Sequence, residues 1–556
     1  MNSAEYVKSL WLVAREYAGF AEAGGVKNVV KALAEYAAQD GFAVTVFLPR
    51  YGNNTERLDT CTGAADIRVA DTLHPVRYFE LSRGGIRFVF VDSPLFTEKK
   101  DVYTYCTEEL EYFRKKLQRP DLKKGEGYVD SDQMNMLFQK AVYCYGLQQR
   151  TAPDVLHCHD AHTALLPAFI FSRLTGRNLF AHTQALITIH NAGDGYRQSL
   201  YSLDHALSIT GLPHSVLEYG LSGGMVEPFL AGAPYAELTT VSPWYADQLT
   251  HPEQSPYSHG FSQILAEKKL LITGITNGID FTAYDPRNTA VSGLPFAFDI
   301  QKEDFDGKYA CRSFLLEHLR SIYPPFRLYK EVQWLGTLSP HESGKEVYAV
   351  YHGRFVHQKG VEVLLKTIPL MLQSCPQIRF ILMGQGNPAL ETEAITLTEA
   401  FSGQVVYCKG YNRQAARLVT AAADFIILPS LFEPCGLEDL IAQIYGTLPI
   451  ANAQGGLKKI IHGKTGFLYD GSPDGKGADT GVHAQALMEA VLCQAEYFLR
   501  SGCTRLLDIP FFKQMILYAY QALLTEFSWK EVFHNRYRPL YCSTQQAPSG
   551  FRAGRA

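Results

Sequence analysis

The chain of 556 residues lacks most of the features that would set it apart from an ordinary globular protein. It has no apolar run near the roughly 20 residues that a membrane-spanning helix requires. Its start, Met1-Asn2-Ser3-Ala4-Glu5-Tyr6, lacks the basic residues and long apolar stretch of a secretory signal, so a cytoplasmic protein is expected. Its eleven cysteines are odd in number and scattered, with no CxxC pair. They read as reduced thiols, neither a disulfide framework nor a zinc ribbon. Charge of one sign is also missing: 52 Lys and Arg face 56 Asp and Glu, for a net charge of −4. Nothing in that balance calls for nucleic acid or an anionic membrane, and a neutral or weakly charged ligand suits it better. There is no low-complexity tract and no close internal repeat. No G-x-G-x-x-G follows the first apolar run, only the doublet Gly24-Gly25, which argues against a dinucleotide-dependent enzyme.

What is present is length and alternation. At roughly 100–200 residues per domain the chain holds two or more domains. Leu10 to Val13 reads as a buried strand. A loop ending in Gly24-Gly25 follows, and then Val26, Val29, Val30, Leu33 and Ala37 recur at helical spacing. Gly41 ends that helix and Ala43 to Leu48 reads as the next strand, completing a β-loop-α-β unit. Further strands are expected at Arg87–Val91, Val155–Cys158, Leu186–Ile189 and Glu237–Val241. A second series starts at Val347–Tyr351, continues through the helix Gly360–Leu372, and adds strands at Arg379–Met383, Val405–Cys408, Phe425–Leu428 and Leu448–Ala451. Two such α/β sheets predict two domains facing a cleft. Asp92–Tyr128 is harder to place, and Ala290–Gly344, with Pro295, Pro324, Pro325 and Pro340, reads as an insertion or surface element.

Two segments carry the chemistry. Gly353-Arg354-Phe355-Val356-His357-Gln358-Lys359-Gly360 follows a strand and opens a helix, so Arg354 and Lys359 sit at the carboxyl end of a parallel strand, where such sheets bind ligands. Two cations beside a helix start suit a diphosphate; a solvated basic loop is the competing reading. Pro429-Ser430-Leu431-Phe432-Glu433-Pro434-Cys435-Gly436-Leu437 likewise joins a strand to a helix. The Gly436 amide and its neighbours can donate to a phosphate, and Glu433 can accept sugar hydroxyls or simply cap the helix. His157, His159, Asp160 and His162 contain spacings that could hold zinc, but both strand histidines fall on one face and no second cluster supports them. No metal is therefore expected, and a sugar-binding strand end is preferred. Gly384-Gln385-Gly386 reads as a tight turn.

Taken in order, R-x(4)-K-G, then Gly410-Tyr411, P-S-x-F-E-P-C-G-L and G-T-L-P resemble the bacterial glycogen and starch synthase family, retaining glucosyltransferases of GT-B fold. Phe47 to Gly52, the His157–Leu165 segment, Thr188-Ile189-His190-Asn191, Thr240-Val241-Ser242-Pro243, Thr276-Asn277-Gly278-Ile279-Asp280 and Phe527-Ser528-Trp529 are similar to family segments in the same order. The resemblance runs from Lys8 to about Tyr541 and weakens in the two irregular regions. It implies a first Rossmann-like domain over 1–272, a nucleotide-sugar domain over 273–525, and a C-terminal helix over 526–542 returning to the first domain. Residues 543–556 are expected to be a disordered tail.

The resemblance further implies glucose transfer from a nucleotide sugar, usually ADP-glucose, to the non-reducing end of an α-1,4-glucan, with retention and without metal or other cofactor. Arg354 and Lys359 would neutralise the departing diphosphate. Glu433 would hold the glucose, with His190 near the reacting carbon and Asp160 on a hydroxyl. Tyr411 would stack on the base, and Asn277 would lie near the leaving group. Gly24, Gly25, Cys435, Gly436 and Leu437 would complete the donor site.

The chain also departs from the family. Glu22 stands where the family has a phosphate-binding lysine, Asn28 where it has an aspartate, and Glu438 where a neutral residue is usual. A carboxylate a few ångströms from a diphosphate should repel it by about 1 kcal/mol or more. Two other readings therefore stay open: a GT-B glucosyltransferase using UDP-glucose or another acceptor, and a catalytically silent glucan-binding or regulatory protein. One of Lys27, Lys458 and Lys459 could replace the missing cation.

Overall fold

In the computed structural model, which describes residues 7–54, 56–58, 60–172, 178–193, 195–251, 260–320, 328–471 and 480–543, Leu10, Leu12 and Val13 are wholly shielded from water. Burial on both faces is what a central parallel strand demands. Ser9–Val13 (β1) accordingly lies between Ala43–Pro49 (β2) and Val155–His159 (β6), parallel to both, with Leu10 opposite Val44 and Val155. Between β1 and β2 runs the helix Val26–Gln39, which buries Val29, Val30, Leu33 and Ala37. Each large apolar side chain so buried contributes about 1.5–3 kcal/mol.

The sheet continues on one side through Gln184–Ile189 (β7), Glu237–Thr240 (β10) and Ile272–Gly274 (β11). On the other it adds Ile86–Asp92 (β5), Thr72–Arg83 (β4) and Cys61–Val69 (β3), the last two antiparallel. A short hairpin, Leu221–Ser222 (β8) with Met225–Val226 (β9), stands apart from this nine-stranded sheet. The region Asp92–Tyr128 is folded: Phe96, Tyr105, Phe113 and Tyr128 are buried, and the buried Lys99 pairs with Asp130 at 2.8 Å and lies over the Phe113 ring.

A second unit spans Thr276–Glu531, while Val532–Ala556 groups with Met1–Ile275. Its sheet has the order Gln333–Gly336 (β12), Val405–Lys409 (β15), Ile378–Gly384 (β14), Val347–His352 (β13), Phe425–Leu428 (β16), Leu448–Asn452 (β17) and Phe467–Tyr469 (β18). Only β12 is antiparallel to its neighbour. The reading of Ala290–Gly344 as an insertion or surface element is corrected here. Its helix Asp306–Leu319 buries Tyr309, Cys311, Leu315 and Leu319 in the core of this unit, and β12 joins the sheet. The buried Arg312 guanidinium in that helix donates to Asp424, whose other oxygen accepts the Tyr348 amide at 2.9 Å. One carboxylate thereby ties the helix to the starts of β13 and β16.

The chain end is held by aromatic residues. Trp529–Val532, a π-helical turn at Phe533–Tyr537 and the helix Arg538–Cys542 run on from one another. Phe533, Tyr537 and Tyr541 are fully buried in the first unit. The Tyr541 hydroxyl meets His157 Nδ1 at 2.8 Å, and the Tyr541 carbonyl accepts from Lys8 Nζ at 2.7 Å. The expected tail, 543–556, lies outside the described residues except for Ser543. Tyr541→Phe removes one hydrogen bond and leaves a buried imidazole nitrogen without its partner. It should lower the stability of the full chain by about 1–3 kcal/mol. Urea denaturation followed by tryptophan fluorescence measures this; an unchanged midpoint would mean that the bond contributes nothing.

Candidate functional site

Each unit gathers polar residues at the carboxyl ends of its parallel strands, where the N-termini of the following segments converge. In the second unit the organising feature is a buried ammonium. Lys459, which the sequence reading offered as a stand-in cation for a ligand, is 6% exposed. It donates to the carbonyls of Cys435, Gly436 and Gly456 at 2.7, 2.8 and 3.1 Å, and pairs with the buried Asp439 at 3.0 Å. All of its capacity is used inside the protein. It shapes the Pro429–Leu437 loop and does not itself reach a ligand.

That loop is fixed from other directions too. The Gly456 amide donates to the Glu433 carbonyl at 2.7 Å, and Asn452 Nδ2 donates to the Ser430 carbonyl at 3.0 Å. Gln358 takes the Leu431 amide on its carbonyl and donates its side chain to the Phe432 carbonyl at 3.1 Å. Gly360 permits this lacing: its φ is +64°, and a Cβ there would lie 1.9 Å from the Pro429 carbonyl oxygen. The Glu433 carboxylate thus has a set direction. Its Oε2 accepts Lys359 Nζ at 2.5 Å and the Ser430 hydroxyl at 3.1 Å. The two residues assigned separate roles by sequence, Lys359 and Glu433, form one ion pair.

Arg354 is exposed at the end of β13. Asn277 is buried near Cys435, its Oδ1 without a hydrogen-bond partner among the described residues, and burial pushes the Cys435 thiol up to about 11. Leu437 caps the short helix Glu438–Ile444. Tyr411 is 60% exposed, its ring 6.5 Å from that of His352 and nearly parallel to it. Glu438 meets His352 Nδ1 at 3.0 Å.

In the first unit the sequence reading missed Glu16. This carboxylate is 1% exposed, and its Oε2 accepts the amides of Ala23 and Gly24 at 3.2 and 2.6 Å. Its Oε1 accepts the Tyr103 hydroxyl at 2.8 Å. The glycine loop is therefore partly filled by the protein's own anion. Gly24 is committed to Glu16, whereas the Cα of Gly25 faces open space. A carboxylate three residues beyond a buried strand was the available signal. Glu22 accepts the Gly19 amide at 2.8 Å and pairs with Lys27 at 3.0 Å, so the charge reversal is answered locally. Asn28 is exposed on the first turn of the helix that follows.

The histidine cluster divides. His157 is bound between Tyr541 and Thr188, the latter at 2.6 Å. His159 Nδ1 meets His190 Nε2 at 3.0 Å, and His162 stacks on Tyr103 with ring centroids 4.9 Å apart. Among the described residues, no group of three or more His, Cys, Asp and Glu side chains is disposed to hold a metal ion. Burial drives the imidazoles toward neutrality, with His157 and His190 each brought down to about 3. Asp160 has a left-handed φ of +62°, and its Oδ1 accepts the His190 amide at 2.8 Å. Burial raises its carboxyl to about 8; the His190 amide opposes this and the Glu16 carboxylate adds to it.

With the geometry described, the class follows. The fold is that of the GT-B glycosyltransferases. A model of the starch synthase catalytic domain matches residues 9–267, and one of group 1 glycosyl transferases matches 346–480. The chain is 28% identical to the glycogen synthase of Aeromonas hydrophila over 461 residues, 81% of this chain and 83% of that protein. It is 29% identical to the glycogen synthase of Thermodesulfovibrio yellowstonii, across 83% of this chain and 87% of the relative. The catalytic domain of Arabidopsis thaliana starch synthase IV, solved with ADP and acarbose, superimposes with a TM-score of 0.74 at 22% identity, covering 97% of this chain and 99% of that one. Residues 9–267 thus match a starch synthase catalytic domain, and the chain is similar to glycogen synthases over more than four fifths of its length.

Two measurements probe this site. Asp160 has a folded pKa above its unfolded value, so its contribution to stability is fully present below about pH 4 and is lost as pH rises toward 8. Asp160→Asn should match the parent at pH 4 and exceed it at pH 9 by an amount on the order of 3–5 kcal/mol. Melting curves at the two pH values check this; a pH-independent difference would contradict it. Lys459→Met strands a buried carboxylate and three carbonyls and should cost about 3–5 kcal/mol, part of which Lys459→Met with Asp439→Leu recovers. Denaturant midpoints of both variants decide between a pinned loop and a passive lysine.

Proposed function

We propose that the protein transfers glucose from ADP-glucose to the non-reducing end of an α-1,4-glucan, with retention of configuration, in the cytoplasm. The observation that carries the reading is the Lys359–Glu433 ion pair beside the exposed Arg354, at the carboxyl end of a parallel strand. Negative charge grows on the diphosphate as the glucosyl bond breaks. Fixed cations lower the barrier most when they meet charge that develops in the transition state. Arg354 and Lys359 take that role. Glu433, pinned through its loop, accepts glucose hydroxyls and stabilises positive charge on the sugar. Tyr411 offers its exposed face to the base, while Asn277, Gly436 and Leu437 line the leaving-group side.

In the first unit, the neutral His190 and the largely protonated Asp160 are assigned to glucose hydroxyls. Attack by the acceptor hydroxyl comes from the face that the diphosphate leaves, and a phosphate oxygen takes the proton. No strong protein base is then needed, and no metal is assigned, since Arg354 and Lys359 meet the charge. Eleven free thiols and the lack of any described helix long and apolar enough to cross a membrane support the cytoplasmic assignment. The Lys27–Glu22 pair supports an active enzyme over a silent binder, because it answers the charge that the lysine-to-glutamate change would otherwise leave beside the donor.

The test is transfer of labelled glucose to glycogen from ADP-glucose and UDP-glucose in parallel, by the purified full chain without added metal. Transfer from ADP-glucose is expected, with Arg354→Ala and Glu433→Gln each losing about 100-fold or more in kcat/KM. Transfer only from UDP-glucose moves the donor. Transfer from neither, with glycogen still bound, leaves the silent reading.

A further inference from the structure

His352 and Glu438 have no counterpart in the family pattern quoted above, and the transfer mechanism does not use them. His352 ends β13, two residues before Arg354, and Glu438 opens the helix that follows the Pro429–Leu437 loop. His352 Nδ1 and Glu438 Oε2 are 3.0 Å apart. The other Glu438 oxygen has no hydrogen-bond partner among the described residues, and the side chain is 34% exposed. The Tyr411 ring lies 6.5 Å from the imidazole at an angle of 18°.

These groups share one set of strand ends: Tyr411 follows β15, His352 ends β13 and leads to the cations Arg354 and Lys359, and Glu438 follows β16, with His352 touching Glu438 and facing Tyr411. A nucleoside diphosphate needs the same three partners, cations for its phosphates, an acceptor for its ribose and a flat face for its base. The part that suits the carboxylate is the ribose, which presents two adjacent hydroxyl donors. An ionised carboxylate can only accept, so it suits a diol and not another acceptor.

We infer that Glu438, held by His352, accepts the ribose hydroxyls of the nucleotide sugar and makes this site selective for ribonucleotides. The inference rests on the donor reading above. The imidazole has a second purpose. A lone carboxylate next to a diphosphate would repel it, whereas a paired one carries little net charge. Burial works against charge on His352, but the neighbouring Glu438 outweighs it and raises the imidazole above its ordinary value. Glu438 is held below the usual carboxylate range by the same partner, although burial opposes this. Glu438 is thus the specificity residue and His352 the positioning residue.

Calorimetric titration of the full chain with ADP and with 2′,3′-dideoxy-ADP tests this. The parent should bind ADP at least ~10-fold more tightly than the dideoxy compound, as expected for charge-assisted hydrogen bonds. In Glu438→Ala the two affinities should fall within about twofold of each other, with ADP weakened to the dideoxy level. The near-isosteric Glu438→Gln should show an intermediate ratio and guards against misfolding, with melting curves alongside. His352→Ala should reduce the ratio without abolishing binding. An undiminished ratio in both Glu438 variants overturns the inference and leaves the donor reading standing, as does tighter ADP binding by Glu438→Ala with the ratio preserved. A parent that binds neither ADP nor UDP overturns the donor reading, and this inference with it.

Discussion

The buried Lys459 ammonium is the constraint on which the second unit's site depends. Three carbonyls of two separate loops turn inward to it, and Asp439 balances its charge. A peptide group whose carbonyl points inward presents its amide the other way. The amides of Gly436 and Leu437, which share peptide planes with the Cys435 and Gly436 carbonyls, therefore point away from Lys459. The direction of Glu433 follows from the same fixation, and Lys359 follows Glu433. Remove the ammonium and the carbonyls lose the partner that holds them; several kcal/mol of desolvated polar groups would then favour a different loop.

The charges that the sequence places around the two glycine-bearing loops look different once their surroundings are known. Taken singly, the departures Glu22 and Glu438 and the candidate cation Lys459 each place a charge where a phosphate site is expected. In the structure each has an opposite partner within 3.0 Å: Lys27, His352 and Asp439. The buried pair has the strictest requirement, since either member alone would be an uncompensated charge in the interior. The Glu22–Lys27 pair is partly exposed and contributes little to stability, so its main effect is on local potential. Charges held in opposite pairs preserve the field of a site while altering which atoms can reach a ligand.

Much of the fold was legible because it rests on short-range rules. Phe425–Leu428 is a run of four apolar residues and is the observed strand; the Val26–Gln39 helix follows from its apolar spacing and the glycines before it. What escaped was pairing across the chain. The β3–β4 meander alternates weakly and is mostly exposed on one face, leaving little apolar signal. The helix Asp306–Leu319 looks polar because it buries Lys308 and Arg312, and only the carbonyls and Asp424 that receive them make that burial affordable. In the site, Arg354, Lys359, Glu433 and Tyr411 were legible as residues of the right type after parallel strands. Glu16 was not, because two of its three partners are backbone amides, and an amide has no residue type to read. Nor could His157 be separated from His159 and His190, since its partner Tyr541 lies 384 positions away.

The two polar clusters differ in kind. In the second unit the groups are ions in pairs, suited to a ligand that carries charge and changes it during reaction. In the first unit burial suppresses ionisation: the histidines are neutral and Asp160 is substantially protonated near neutral pH. Neutral imidazoles and a carboxylic acid each offer both a donor and an acceptor. A sugar hydroxyl also both donates and accepts, so such groups can satisfy it without forcing a charge into a water-poor interior. Glu16 supports this arrangement from below. Two amides and the Tyr103 hydroxyl donate to it. The glycine loop in this chain therefore holds an internal carboxylate, which adds to the burial that raises the Asp160 carboxyl.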